Sequence, residues 1–575
     1  MKGLLFSICF FAGLFSAASA KTVNVSSFGV YPNGKDSTPG TLRAIEHCRK
    51  TGAGVLSFPR GTYHFGPEAA LQRRLHISNN DGGDKRIAFP IEGMENFELQ
   101  GNGSLFVFHG GTNPFWVSGS RNVALKNFSV TVGRTFHNEG LIVENSEDGF
   151  TLQFDPKFDY FIRDGLLKFS SGKSRNKNIA FEEFEIPYNE VLEFDSKRRE
   201  TAYLKGDIRG HGSLRAEDLG GRRVRIKSDR PDFTPGNILV FSFGRRDYPC
   251  MVLDKSEDVL VENVAILASG GMGVVAQNCK NVSVVSCKTL PAEGFIVSCT
   301  ADATHFSNCT GKILIKDNVF LNQKDDATNI HGIYERIAEM RSPVEIVTQL
   351  VHPQQYGFET FKAGDTLEFV KGRSLIEKGV AEISEVEVLN DRFKRLVLKT
   401  PVPEGIEKGD AVAVVRDYPE IVITGNTIGR NRARGILLNC RGKTLVENNT
   451  FHNAGAAVMF QGDASVWFEQ GGVRDCTIRN NVFDNCMYGP YGNAVITVDS
   501  GIREDRAVSR YNRNIRVENN TFRVFDGAPL VDFYCVDGFV WRGNKIEKTS
   551  DYPPRDIKDP EPVKIRHFNN VEIRD

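Results

Sequence analysis

The chain has 575 residues, 40% of them hydrophobic, and its 72 Lys+Arg balance 72 Asp+Glu. That composition excludes a disordered chain and a small disulfide scaffold, and the absence of a basic excess argues against a dedicated nucleic-acid or membrane-surface binder. Fifty-five glycines and 41 phenylalanines point to turn-rich β structure, in a length that suits two or three ordinary domains or one elongated repeat body with insertions.

Met1-Lys2, an apolar run from Leu4 to Phe15, and Ala18-Ser19-Ala20 read as a secretory signal peptide over residues 1–20, with Lys21 as the mature start. Export to the periplasm or the extracellular space of a bacterium is the expectation. The apolar core is short for a bilayer, and no later run reaches about 18 apolar residues, so no membrane span is expected. Without the leader the charge is −1 and ten cysteines remain. Cys279, Cys309 and Cys440 recur at one place in a repeat, which reads them as packed thiols rather than a disulfide framework.

Val23 to Gly29, Leu42 to Ile45 and Gly54 to Tyr63 suggest a strand, a short helix and further strand. They are similar to the N-terminal cap of pectate-lyase-like β-helices, and residues 21–133 are assigned to the cap and first coils. An uncapped coil would expose core and strand edges. The repeat itself has an apolar residue, two polar residues, an anchor that is often Asn, then usually a large apolar residue two further on. It appears at Ile315-Lys-Asp-Asn318-Val-Phe320, Ile423 to Ile428, Val446 to Phe451, Ile478 to Phe483 and Val517 to Phe522. Weaker copies occur around Phe128, Val264, Cys287 and Asn544. Several separations are 23 or 24 residues, one coil of a parallel β-helix. Asn suits left-handed bends and can stack in hydrogen-bonded ladders. Leucine-rich repeats would need a Leu pattern that is absent, and propeller blades would need longer units.

Two gaps exceed a coil. Residues 134–250 and 333–419 are therefore assigned to two inserted antiparallel, barrel-like β modules, leaving 251–332 and 420–575 as coils. Candidate strands within them are Ala202 to Lys205, Val224 to Ile226, Val344 to Val347 and Leu396 to Lys399. Both modules end on Arg-Asp-Tyr-Pro, at Arg246 and at Arg416. The repetition reads as a shared structural corner at re-entry rather than a binding motif. The fold class is all-β: a right-handed parallel β-helix with two inserted modules.

The chemistry falls on Asp302 and Asp325-Asp326. Matching Asn308-Cys309 to Asn439-Cys440 puts Asp302 and Asp325 at one position of adjacent coils, roughly 5 Å apart along the stack. Arg432 and Arg434 follow in the next coil. Clustered carboxylates separate in pKa, which gives one acid and one base for glycoside hydrolysis. The alternatives are a structural Asp ladder and a Ca²⁺ site. His305 reads as a satisfied structural residue. His331 can orient a carboxylate or bind a sugar hydroxyl. Asn329, Arg432 and Arg434 join it as candidate substrate contacts, and Trp467 is either a sugar-stacking platform or core. No P-loop, Ser-His-Asp signature or zinc-type spacing occurs, and neither metal nor cofactor is expected.

Asp302 with Asp325-Asp326 is similar to inverting polygalacturonases, although their Asn-Thr-Asp and Gly-His-Gly motifs are absent. The capped helix, the two modules and the Asp constellation together resemble glycoside hydrolase family 110 over nearly the whole mature chain. The resemblance implies a metal-independent, exo-acting, inverting α-1,3-galactosidase. Its substrates would be glycans ending in α-1,3-linked galactose, such as the blood group B antigen, and linear α-1,3-galactosides. It implies Asp325 as general acid and Asp302 with Asp326 as the groups that hold and deprotonate water, about 6.5–9.5 Å from the acid. The rival readings are a pectin hydrolase or lyase and a non-catalytic glycan-binding β-helix. The oligomeric state is left open, a homo-oligomer included.

Overall fold

The computed structural model describes residues 21–210, 214–228, 232–558 and 560–574. The expected leader lies outside them. No helix among the described residues is long and apolar enough to cross a membrane.

The body is a parallel β-helix in which each coil contributes short strands to three stacks. One coil runs Thr304–Ser307, Thr310–Lys316 and Val319–Leu321, and the next opens with Thr328–Ile333 directly above Thr304–Ser307. Inward residues alternate along each strand, as the burial of Ile313 and Ile315 illustrates. Above them Phe451, Phe483, Phe522 and Trp541 stack ring on ring along the axis, with centroids 5.1, 4.7 and 5.4 Å apart. The end of the lumen is closed by the helix Thr38–Thr51, which buries Ala44, Ile45 and Cys48.

The Asn repeat forms a ladder. Asn318, Asn426, Asn449, Asn481, Asn520 and Asn544 follow one another, each donating its backbone N–H and its Nδ2 to the next Oδ1 at 2.8–3.0 Å. The left-handed bend falls on the residue before the anchor, Asn448, Asn480 and Asn519 at φ 57°, 55° and 56°. The anchor side chain is thereby aimed along the stack. The ten cysteines from Cys48 to Cys535 are all buried and unpaired.

The chain leaves the helix after Arg121–Val132 and re-enters at Met251–Asp254. Between them lie an eight-stranded antiparallel sheet and a two-stranded hairpin. It leaves again after Thr328–Ile333 for a closed six-stranded barrel and re-enters at Glu420–Thr424. Three of the four candidate strands are present. Ala202 to Lys205 is not: the strand is Glu200–Thr201, and the chain then turns with Leu204 at φ 55°.

Candidate active site

Asp302 sits just before Thr304–Ser307, and Asp325-Asp326 just before Thr328–Ile333. The register pairs Thr304 with Thr328, and the Ala303 N–H donates to the Asp326 carbonyl at 2.9 Å. The offset is thus 24 residues, and Asp302 stacks on Asp326 rather than on Asp325. The expected phase was one residue out because the Asn-Cys markers are not equivalent. Ser307 aligns through His331 with Asn439. The coil between Ser307 and Ile313 holds one residue more than that between Asn439 and Thr444, a bulge ending at Gly311, φ 70°.

All three carboxylates converge, with oxygens within 4.8 Å of one another. That spread is narrower than the acid–base gap the sequence led us to expect, because neighbouring coils point both groups into one pocket and arginines draw them together. Asp325 Oδ2 accepts from Arg246 Nη2 at 2.7 Å and Oδ1 from Arg432 Nη2 at 3.0 Å. Asp326 accepts from the Arg434 side chain at 2.8 Å and from its backbone N–H at 3.1 Å. Asp302 Oδ1 accepts the Asp326 N–H at 3.2 Å, and its Oδ2 meets His305 Nδ1 at 2.8 Å.

These contacts divide the carboxyls. Burial, then the neighbouring Asp325 charge, pushes Asp302 up to about 7. Burial also raises Asp326 well above the carboxylate range, with the Arg434 charge opposing and the other two carboxylates adding to the rise. Burial would raise Asp325 as well, but Arg432, Arg246 and Arg434 hold it down to about 2. One carboxyl is therefore ionised beside two that favour a proton. With one carboxyl ionised and two favouring a proton, the three guanidiniums leave the cluster positive, so an added divalent cation would meet net repulsion.

A small pocket of about 30 Å³ lies over this cluster. Asn329, Arg434 and Trp467 line it, as do Asn79, Arg246, Gln461 and Glu469. Asn329 Oδ1 and Arg434 Nε are buried without a protein partner, the atoms best placed to bond a ligand. Arg432 stands behind Asp325, bridging it to Asp207 of the first module at 2.6 Å. His331 does not reach the pocket: it is buried beneath His305, their Nε2 atoms 2.9 Å apart. Trp467, on the C-terminal coils, packs beside the His352 ring of the second module, centroids 4.3 Å apart.

The sequence reading passed over Arg246, Asn79, Gln461 and Glu469. Arg246 was within reach, since it opens the first Arg-Asp-Tyr-Pro. That motif is a corner in its second copy, where Arg416 donates to the Thr360 carbonyl at 2.8 Å, but in its first copy it delivers a guanidinium to Asp325. Glu469 is held by Asn79 Nδ2 at 2.7 Å and carries no motif at all.

A parallel β-helix with acids divided between protonated and ionised forms, converging on one small pocket, is the equipment of a glycoside hydrolase. Family models described as GLAA-B beta-barrel domain I and II match residues 138–239 and 345–412, and one for a right-handed beta helix region matches 406–552. Alpha-1,3-galactosidase A of Shewanella woodyi is 34% identical over 94% of this chain and 88% of its own. Alpha-1,3-galactosidase B of Akkermansia muciniphila is 31% identical over 96% of this chain and 69% of its own. The chain belongs to the α-1,3-galactosidase family.

Proposed function

We propose that this protein is an exo-acting hydrolase that removes terminal α-1,3-linked galactose, with blood group B-type branched glycans and linear α-1,3-galactosides as substrates. The observation that carries the reading is the pocket itself. It is bounded by Asn79, Arg246 and Trp467, and at about 30 Å³ it is too small for a passing polymer and suits the tip of a chain end. Asn329 Oδ1 and Arg434 Nε are free to take sugar hydroxyls.

The resemblance assigns the proton donor to Asp325 and the attacking water to Asp302 and Asp326. The charge pattern of the cluster runs the other way, with Asp325 ionised. Asp325 would then load its proton from a neighbour within 4.8 Å once sugar replaces solvent. The second assignment, with Asp302 as donor and Asp325 as base, is favoured by that charge pattern alone. Aryl α-galactosides with good leaving groups separate the two. The variant lacking the donor keeps turnover of the aryl substrate while losing the natural one. The variant lacking the base is rescued by azide, which yields a β-galactosyl azide.

Inversion is part of the proposal and is tested independently of the donor's identity. NMR of the first product should show β-galactose, whereas α-galactose would establish a double displacement. Galactose release is read from blood group B oligosaccharide, α-1,3-galactobiose and polygalacturonate. Shortened uronates without galactose would replace this reading with a pectin hydrolase, and glycan binding without product would make the cluster a recognition site. Export through the leader at 1–20 belongs to the same proposal, and a secreted chain whose N-terminus is not Lys21 would contradict the cleavage position.

A further inference from the structure

Behind the pocket a file of buried groups leads away from the carboxylates. Asp302 Oδ2 lies 2.8 Å from His305 Nδ1, His305 Nε2 lies 2.9 Å from His331 Nε2, and His331 Nδ1 lies 2.6 Å from the Gly332 carbonyl oxygen. The two imidazoles have no exposed surface and Asp302 has 2%.

The contacts fix the number of protons. A carbonyl oxygen only accepts, so His331 Nδ1 carries a hydrogen. Two bare ring nitrogens 2.9 Å apart would set lone pair against lone pair, so one proton lies between the histidines. The carboxyl–imidazole contact needs one as well. Three contacts thus hold three protons, in any of three arrangements. Asp302 is neutral beside two neutral rings; or Asp302 is ionised beside a His305 cation; or Asp302 is ionised, His305 neutral and His331 the cation. Each converts to the next by moving one proton along one hydrogen bond, and the net charge is the same in all.

The surroundings select among them. Val275 aligns with His305 from the preceding coil and Asn329 from the next. Glu469 Oε1 stands 3.6 Å from His331 Nε2, and Asn79 and Asn439 also donate to that carboxylate. Arg246 and Asp325 act on His305 from the pocket side, while Arg434, Asp325 and Arg246 act on Asp302, whose Oδ1 receives the Asp326 N–H. The buried Cys299 thiol lies beside Asp302. Burial and the neighbouring His331 hold His305 well below the ordinary imidazole range. The proton therefore rests on Asp302, and a cation formed further along is met by Glu469.

We infer that His305 and His331 take up the Asp302 proton during the reaction, so that Asp302 becomes the base while the site as a whole neither gains nor loses a proton. The inference rests on the reading that Asp302 holds the attacking water. As the water oxygen bonds to the anomeric carbon, its O–H breaks and that proton goes to Asp302, whose former proton already sits on the histidines. The glycosidic C–O bond breaks and its oxygen takes the donor's proton. The relay's extra proton then returns through the carboxylate cluster to the donor. His305 touches no substrate in this scheme and is a positioning residue.

The test is the pH dependence of galactose release by His305→Asn, which can still donate to Asp302 but cannot take its proton. Asp302 must then lose its proton to solvent before it can act, and burial sets that loss near 7. The acid limb of kcat/KM should move up by at least one pH unit, with kcat about 10²-fold down below it. Activity should recover above pH 8, and KM should stay unchanged. A fall that is uniform in pH would mean a purely structural role and would overturn the inference. Neutron diffraction on the wild-type protein needs neither a variant nor a substrate. It should find deuterium on His331 Nδ1 and one deuterium in each of the other two contacts, and bare facing Nε2 atoms would also overturn it. If the wild-type protein releases no galactose from any α-1,3-galactoside, the functional reading fails, while the proton count is still decided by the neutron result.

Discussion

The Asn ladder makes a quantitative prediction. Asn449→Ala deletes four side-chain hydrogen bonds: two accepted from Asn426, and two donated to the Ile423 carbonyl and to Asn481 Oδ1. A protein hydrogen bond contributes about 1 kcal/mol net, and a buried donor left unpaired costs about 1–3 kcal/mol more. Asn449 and Asn426 are each 1% exposed, so water cannot replace the lost partner at the Asn426 N–H. The sum is a destabilisation of about 5 kcal/mol. Asn544→Ala at the end of the ladder removes three bonds at a partly buried site, where water can substitute. It should cost only about 1–2 kcal/mol. Urea unfolding of both variants against the parent, followed by far-UV circular dichroism, measures the difference. Equal midpoints for the two variants would refute the argument, because they would mean that burial along the ladder does not set the energy of its members.

Further outcomes follow from the site and its supports. Arg246→Met removes a charged hydrogen bond to Asp325 worth about 1.5–3 kcal/mol, so kcat/KM should fall by about 10- to 100-fold, with the melting temperature lowered as well. A fall of less than threefold would show that Arg432 alone suffices. EDTA should leave activity intact, since three arginines beside one ionised carboxylate already make the cluster positive, and restoration of lost activity by a divalent ion would contradict this. His452 and Glu200 join the C-terminal coils to the first module at 2.8 Å. Burial alone would lower His452, but Glu200 raises it above its ordinary value; Glu200 is lowered, with its bonds to His452 and Tyr552 outweighing burial. The histidine's contribution is full below its unfolded value of about 6.5 and is lost as pH rises through the raised one, while the glutamate's is lost as pH falls below about 4.3. The melting temperature should peak between those limits, and Glu200→Gln should flatten the alkaline side. A decline at alkaline pH that Glu200→Gln leaves unaltered would assign it to another group.

The helix was legible because its period is written in the anchors. Asn426, Asn449 and Asn520 are visible as a pattern since each must satisfy the same stacked hydrogen bonds. The acids were legible because Asp302 and Asp325-Asp326 fall near one phase of that pattern. The exact pairing was not, since one added residue at Gly311 shifts alignment without altering composition. His305 and Glu469 were illegible for a different reason. Their roles arise from contacts across coils and across the long separation between Asn79 and Glu469, which no local spacing encodes. Arg246 lay between these cases. Its motif was conspicuous, but its repetition at Arg416 argued for architecture, and only the three-dimensional position of the first copy reveals the difference.

The modules matter to the chemistry because the coils alone would leave their charges unsupported. Lys324 precedes the acids and is buried. Its amino group donates to Glu190 at 2.5 Å and to Ser242, both on strands of the first module. Arg432 is held between Asp325 and Asp207 of the same module. Removing that module would strand two cations at the floor of the pocket and withdraw Arg246 from Asp325. Each loss would change the charge that separates one carboxyl from its neighbours. The second module acts on shape instead, packing His352 beside Trp467 and bonding the Trp467 carbonyl through Gln355 Nε2 at 3.0 Å. One insertion therefore tunes the acids and the other braces Trp467 at the pocket. A β-helix with only the first would keep the charge pattern of its acids but lose the support behind Trp467.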